Sequence, residues 1–194
     1  MQNCELLNQW LDTNGTAPLA AEEEQLLAEF LAKLLEHIWD WNEWELKGKF
    51  IFPLLAAVNF DQERYHAFIE REISVVIEDD ILSGTVDFFV ANGKRYPKHP
   101  YFIIHEFKRE HEASGDPLGQ LLITMVAAQK LNNDGKPVYG CYVMDRLLFF
   151  VVLDGQDYAT SLAYDATKDD INEVFILLKK AKGIIEELIG FPSK

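Results

Sequence analysis

Ser83-Gly84-Thr85-Val86-Asp87-Phe88-Phe89-Val90 and Tyr101-Phe102-Ile103-Ile104-His105-Glu106-Phe107-Lys108 are two apolar runs that carry ionisable groups, and Asp116-Pro117-Leu118-Gly119-Gln120 follows them. Side chains alternate between the faces of a strand, so Glu106 and Lys108 share one face and Phe107 takes the other. With the two runs paired as neighbouring strands, Asp87 stands beside that couple. Two carboxylates and an ammonium gathered at one strand end are costly to fold unless something binds there. A hard divalent cation such as Mg²⁺ takes one or two carboxylates together with phosphate oxygens and water. A lysine next to it orients a water nucleophile or stabilises charge developing on phosphate.

Outward from these runs, the apolar period alternates between helix and strand. Residues 1–13 read as a short helix closed by Asn14-Gly15, and residues 20–39 as an amphipathic helix. The second has an acidic first turn and apolar residues from Leu26 to Ile38 at helical spacing. Trp39, Trp41 and Trp44 crowd the next junction and read as core, ahead of a base-stacking cluster. Residues 43–58 read as a further helix, kinked or broken near Phe52 by Pro53. The period then becomes two: Arg71 to Glu78, Ile81 to Ala91 and Tyr101 to Lys108 are expected strands, with Asp79-Asp80 as a hairpin turn and not as ligands. Asp116 is the expected cap and Pro117 the first position of a helix running to about Asn132. Val138 to Met144 and Leu147 to Leu153 are expected strands around an Asp145-Arg146 turn. Asp157 to Tyr164 is expected as an edge strand and Lys168 to Ile189 as a closing helix. This order predicts an α/β (α+β) chain with a central mixed β-sheet, helices on both faces and extra N-terminal helices.

An Asp, a gap of about twenty residues, Glu-x-Lys ending an apolar strand, and a helix bearing Gln together resemble the PD-(D/E)XK nuclease superfamily, with its restriction-endonuclease-like core. Asn42-Glu43, followed by Phe50-Ile51-Phe52-Pro53-Leu54-Leu55, is similar to the first-helix acidic motif of type I restriction enzyme nuclease domains and their stand-alone relatives. The resemblance covers roughly residues 42 to 155, and departs from the nominal motif in having Val86, not Pro, before the aspartate. It implies Glu43, Asp87 and Glu106 as ligands of Mg²⁺ or Mn²⁺, with the backbone carbonyl of Phe107 as a further ligand. It also implies Lys108 as the catalytic lysine and Gln120 as the helix glutamine. Glu45 competes with Glu43, and the spacing to Pro53 favours Glu43. One domain is expected: a helical extension over 1–41, the nuclease-like core over 42–155, and an edge strand with a C-terminal helix over 156–194.

At 194 residues, 48% hydrophobic and 26% charged, the chain falls in the ordinary range of globular domains with a substantial core. No apolar stretch approaches the ~18 residues of a membrane span, and no basic leader precedes an apolar region, so a cytoplasmic protein without membrane contact is expected. Cys141 is expected as a buried free thiol. The net charge of −14 argues against strong DNA binding, which draws on lysine and arginine. Ten acidic residues against Lys33 put −9 into residues 1–45, whereas 46–153 is nearly neutral at −2. The denser positive stretch is Lys94, Arg95, Lys98, Lys108 and Arg109, interleaved with His99, His105 and His111, and is equally well a solvated loop. His105 lies opposite Glu106 on the strand and reads as structural, while His111 and Glu112 have no fixed position. There is no Gly-rich phosphate loop, Gly-x-Ser-x-Gly elbow or His-Glu-x-x-His pair.

The expected activity is metal-dependent phosphodiester hydrolysis, with DNA implied by the resemblance and bound weakly by the chain alone. The rival is a weak or inactive nuclease-fold module that regulates or binds a protein partner, for which the acidic first 45 residues would suit a basic surface. Hydrolysis of a small nucleotide is a third reading.

Overall fold

The protein is described by a computed structural model covering residues 4–108 and 116–190, with the side chain of Lys108 outside that set. A long hairpin begins the sheet. Strand β1 (His66–Ile77) pairs antiparallel with β2 (Asp80–Asn92) from His66↔Ala91 to Ile77↔Asp80. The turn is Glu78-Asp79, one residue before the expected Asp79-Asp80, and Glu78 takes a φ of +55° there. β1 also starts five residues before the expected Arg71, because pairing with β2 holds His66 to Ile69 extended despite their mixed polarity.

β2 pairs antiparallel with β3 (Lys98–Lys108), and β3 pairs parallel with β4 (Val138–Met144). A parallel pair needs a crossover, and helix α5 (Pro117–Asn132), which packs on β2, β3 and β4, lies in that connection. β5 (Leu147–Asp154) pairs antiparallel with β4 across the expected turn. The expected edge strand is two short pieces on β5: β6 (Asp157–Thr160) and β7 (Tyr164–Asp165). Ser161 separates them by accepting the Phe150 N–H at 2.9 Å and donating to the Leu162 carbonyl at 2.7 Å. The result is a seven-stranded mixed sheet.

Both faces of the sheet are buried, as the near-continuous apolar runs require. Phe88, Val90, Ile103, Cys141, Phe150 and Val152 point into one core with α1 (Glu5–Leu11), α2 (Ala21–His37) and α6 (Asp170–Leu188). Phe89, Ala91, Ile104, Val138 and Val151 point into the other, under α5. Close approach of α5 depends on Gly140: a Cβ there would lie 2.8 Å from Met125 Sδ and 3.2 Å from the Ile104 carbonyl oxygen. Cys141 is a buried free thiol, pushed up to about 12 by burial.

The Pro53 helix is continuous, in three registers: α3 (Glu43–Leu46), a π turn (Lys47–Ile51) and α4 (Phe52–Val58). Proline has no N–H and its ring crowds the preceding turn. The wide turn just before it, closed by the Phe52 N–H to the Lys47 carbonyl, absorbs that conflict without a break. The tryptophans divide. Trp41 is core at 6% exposure, whereas Trp39 and Trp44 are 71% and 67% exposed, against the expectation of burial. Among the described residues no helix is long and apolar enough to cross a membrane.

Candidate functional site

Asn42 and Glu45 set the first wall of the site through a reciprocal cap. The Glu45 N–H donates to Asn42 Oδ1 at 3.0 Å and the Asn42 N–H to Glu45 Oε2 at 3.1 Å. That cap engages Glu45, while Glu43, in the first helical turn, lines the cleft beside Lys47. The second wall is α5. Asp116 precedes it and Pro117 opens it, but the Asp116 side chain makes no cap bond; its carboxylate lies over Gly119, where a Cβ would come within 2.7 Å of Oδ2.

Between these walls is a cleft of about 420 Å³, with Glu43, Lys47, Glu70, Asp87, Glu106 and Gln120 among its lining residues. Four of the six are the residues singled out in the sequence. Asp87 is 6% exposed and both of its oxygens are engaged: Oδ2 accepts the Phe107 N–H at 2.8 Å and Oδ1 accepts Lys47 Nζ at 2.7 Å. The first of these bonds ties β2 to β3 at the level of Glu106, which is itself 6% exposed. Phe107 therefore contributes its backbone N–H to this site. Lys108 ends β3 opposite Met144, and its side chain lies outside the described residues. Arg109, His111 and Glu112 lie outside them as well.

Two charged residues of the cleft were not singled out in the sequence. Lys47 is 3% exposed, and its ammonium lies 2.6 Å from Glu43 Oε1, 2.7 Å from Asp87 Oδ1 and 3.6 Å from Glu70 Oε1. Burial pulls its pKa down, but hydrogen bonds to Asp87 and Glu43 outweigh that and hold it above the ordinary lysine range. The available signal was the four-residue spacing from Glu43, which places the two side chains on one helix face. Glu70 sits across from Asp87 in the hairpin and takes a φ of +50° in mid-strand, a conformation a non-glycine residue adopts at a cost. Strand alternation slips at this point: Val86 and Phe89 both pack under α5, and Phe88 packs on the other face. Burial lifts the Glu70 pKa above the usual glutamate range, Lys47 pulls against it, and Asp87 adds to the rise.

His105 is structural, as its strand position predicts. It is 2% exposed on the other face, among the rings of Phe88 and Phe107, and burial pushes its pKa down to about 3. The stretch Lys94, Arg95, Lys98 and His99 is exposed and belongs to the far end of the sheet. Lys98 pairs with Asn92, eight residues along β3 from Glu106, or ~26 Å at the usual strand rise. This part of the positive stretch, an exposed loop running into the first residues of β3, does not border the cleft.

The cleft thus offers hard oxygen donors around one internal ammonium. Among the described residues, no three acidic, histidine or cysteine side chains form a ready-made ligand cluster, and Lys47 stands between Glu43 and Asp87. Comparison of the chain with protein-family models, with curated proteins and with solved structures returns no match.

Proposed function

We propose that this chain is a metal-dependent nuclease-like protein on a restriction-endonuclease-like core, hydrolysing phosphodiester bonds, with DNA the substrate implied by the resemblance. The observation that supports the reading is the convergence of Glu43, Asp87, Glu106 and Gln120, from two helices and two strands, on one cleft. Asp87 and Glu106 face the same cleft, as the chemistry needs. The donor set suits Mg²⁺ or Mn²⁺: carboxylates and an amide, with Gln120 Oε1 buried and without a hydrogen-bond partner among the described residues. Glu43, Asp87 and Glu106 would hold the ion, with the Phe107 carbonyl as a further ligand. When bound, the ion supplies an acidified water and charge stabilisation at phosphate. Lys108 orients the nucleophile, and the Gln120 amide, in the first turn of α5, fixes the substrate against the strand ends.

The second reading is a protein-binding or regulatory module on the same scaffold. Lys47 favours it, because its ammonium satisfies Glu43 and Asp87 without any metal. The two readings part on one assay: wild type and Glu106→Gln with Mn²⁺ on mixed single- and double-stranded DNA and RNA. Cleavage by wild type that the substitution abolishes is the expected result. A wild type that cuts nothing, while a basic partner protein binds both forms equally, would give the protein to the second reading.

A further inference from the structure

The cleft holds a cation of its own. Oxygens of Glu43 and Asp87 lie 2.6 and 2.7 Å from one buried nitrogen, and a Glu70 oxygen lies 3.6 Å away. Glu43 and Asp87 are also two of the three carboxylates that the nuclease reading assigns to a metal. Mg²⁺ needs its oxygens at about 2.0–2.1 Å, so an ion and an ammonium cannot both stand between the same two carboxylates.

We propose that Lys47 is a resident counter-cation, which holds the cleft's carboxylates together in the metal-free protein and which a divalent cation displaces on binding. Metal loading is then an exchange of ammonium for metal. The inference rests on the metal-binding reading of this cleft and adds a step to it.

Three features fit a lysine that moves. Lys47 opens the π turn, a helical irregularity that concentrates at functional sites. Trp44, on the cleft lining and 67% exposed, places its ring centroid 5.2 Å from Lys47 Nζ. The ring is already within cation–π reach of the ammonium and, being exposed, can keep that contact as the lysine swings toward solvent. Glu70, held at a strained φ of +50°, is bound to Lys47 only at 3.6 Å, so the third side of the ammonium is loosely closed. A permanently structural lysine would instead ignore metal altogether.

The test labels lysines in the wild-type protein by reductive methylation, in EDTA and in millimolar Mn²⁺, with peptide mass spectrometry as the readout. Lys47 is expected to be protected in EDTA and to react several-fold faster with Mn²⁺, while Lys49 on the same helix reacts alike in both. Thermal melts run beside it on wild type, Lys47→Met and Asp87→Asn. Mn²⁺ is expected to raise the melting temperature of Lys47→Met more than that of wild type, there being no ammonium to evict, and not to raise that of Asp87→Asn. If Mn²⁺ stabilises wild type and Lys47→Met equally and Lys47 stays protected, the ion binds beside the ammonium. Exchange is then overturned and the nuclease reading stands. If Mn²⁺ stabilises neither, the metal reading falls and exchange falls with it. Should Lys47→Met fail to fold in EDTA, the wild-type labelling decides alone.

Discussion

Glu43–Lys47 and Glu45–Lys49 are two glutamate–lysine pairs of identical spacing and direction, offset by two residues on one helical segment, and they close at 2.6 and 2.7 Å. Lys47 and its partner are 3% and 16% exposed; Lys49 and its partner are 52% and 38% exposed. A two-residue offset turns the second pair away from the sheet, toward solvent and the Trp41 ring. In water the attraction of such a pair is screened and its ordering entropy nearly cancels it. In the interior both the attraction and the desolvation cost grow, and what matters is whether every charge has a partner. Lys47 has Asp87 as well as Glu43. The same Glu-x-x-x-Lys spacing therefore yields a commitment of the fold in one case and a surface contact in the other.

The largest break in that comparison is Lys47→Met in metal-free buffer. It leaves Asp87 and Glu43 against each other without a counter-charge, and should cost about 3–5 kcal/mol in urea unfolding. Adding Asp87→Leu should recover part of the loss, since the double variant no longer leaves the Asp87 carboxylate buried without its ammonium. A single-variant loss below about 1 kcal/mol would mean that water already screens the carboxylates.

His105 is as buried as Lys47 but has no counter-ion among the described residues. Burial pushes its pKa from the ordinary 6.5 down to about 3, so the folded protein keeps it neutral where the unfolded chain protonates it. Its contribution is fully present above pH 6.5 and is lost as pH falls toward 3. Stability should drop by up to about 1.4 kcal/mol per pH unit across that window. Urea titrations at pH 7, 5 and 4 on wild type and His105→Leu check this: the variant should have the shallower acid slope, and parallel slopes would assign acid sensitivity to the carboxylates.

Under the proposed nuclease reading, Lys108 is a third use of lysine, on the substrate and not on the fold. Lys108→Ala should cost less than about 1 kcal/mol of stability and on the order of 10²-fold in cleavage rate. Equal cleavage by both proteins removes Lys108 from the mechanism. The smallest effect belongs to Lys49→Met, which should leave the urea midpoint unmoved within error. A shift comparable to that of Lys47→Met would erase the distinction drawn between the two pairs.

Much of the architecture was legible because it is local. β4 and β5 follow from two short apolar runs and the two-residue turn between them, and α5 from Pro117 and Asn133, which takes a φ of +47° at its end. The paired placement of Asp87 and Glu106 follows from strand alternation once β2 and β3 are neighbours. Glu70 was not legible, for a reason of register. With the turn at Glu78-Asp79 it lies across from Asp87, whereas a turn at Asp79-Asp80 would have put Glu72 there. One residue in a turn of consecutive acidic residues decides which glutamate enters the cleft, and both turns satisfy the local rules.

By itself, the sequence determined the alternation of helix and strand, the parallel crossover through α5, and the placing of Asp87, Glu106 and Gln120 where one cleft could collect them. Period, proline and turn residues act over a few positions, so a single chain displays them. Tertiary structure alone decided that Lys47 is buried and Lys49 is not, that Glu70 opposes Asp87, that Trp44 stands exposed at the cleft, and that Lys94 to His99 lies at the sheet's far end. Those outcomes depend on which face of the Glu43–Val58 helical segment meets the sheet and on where a hairpin turns. Both are settled by burial summed over contacts distant in sequence, which no local pattern encodes.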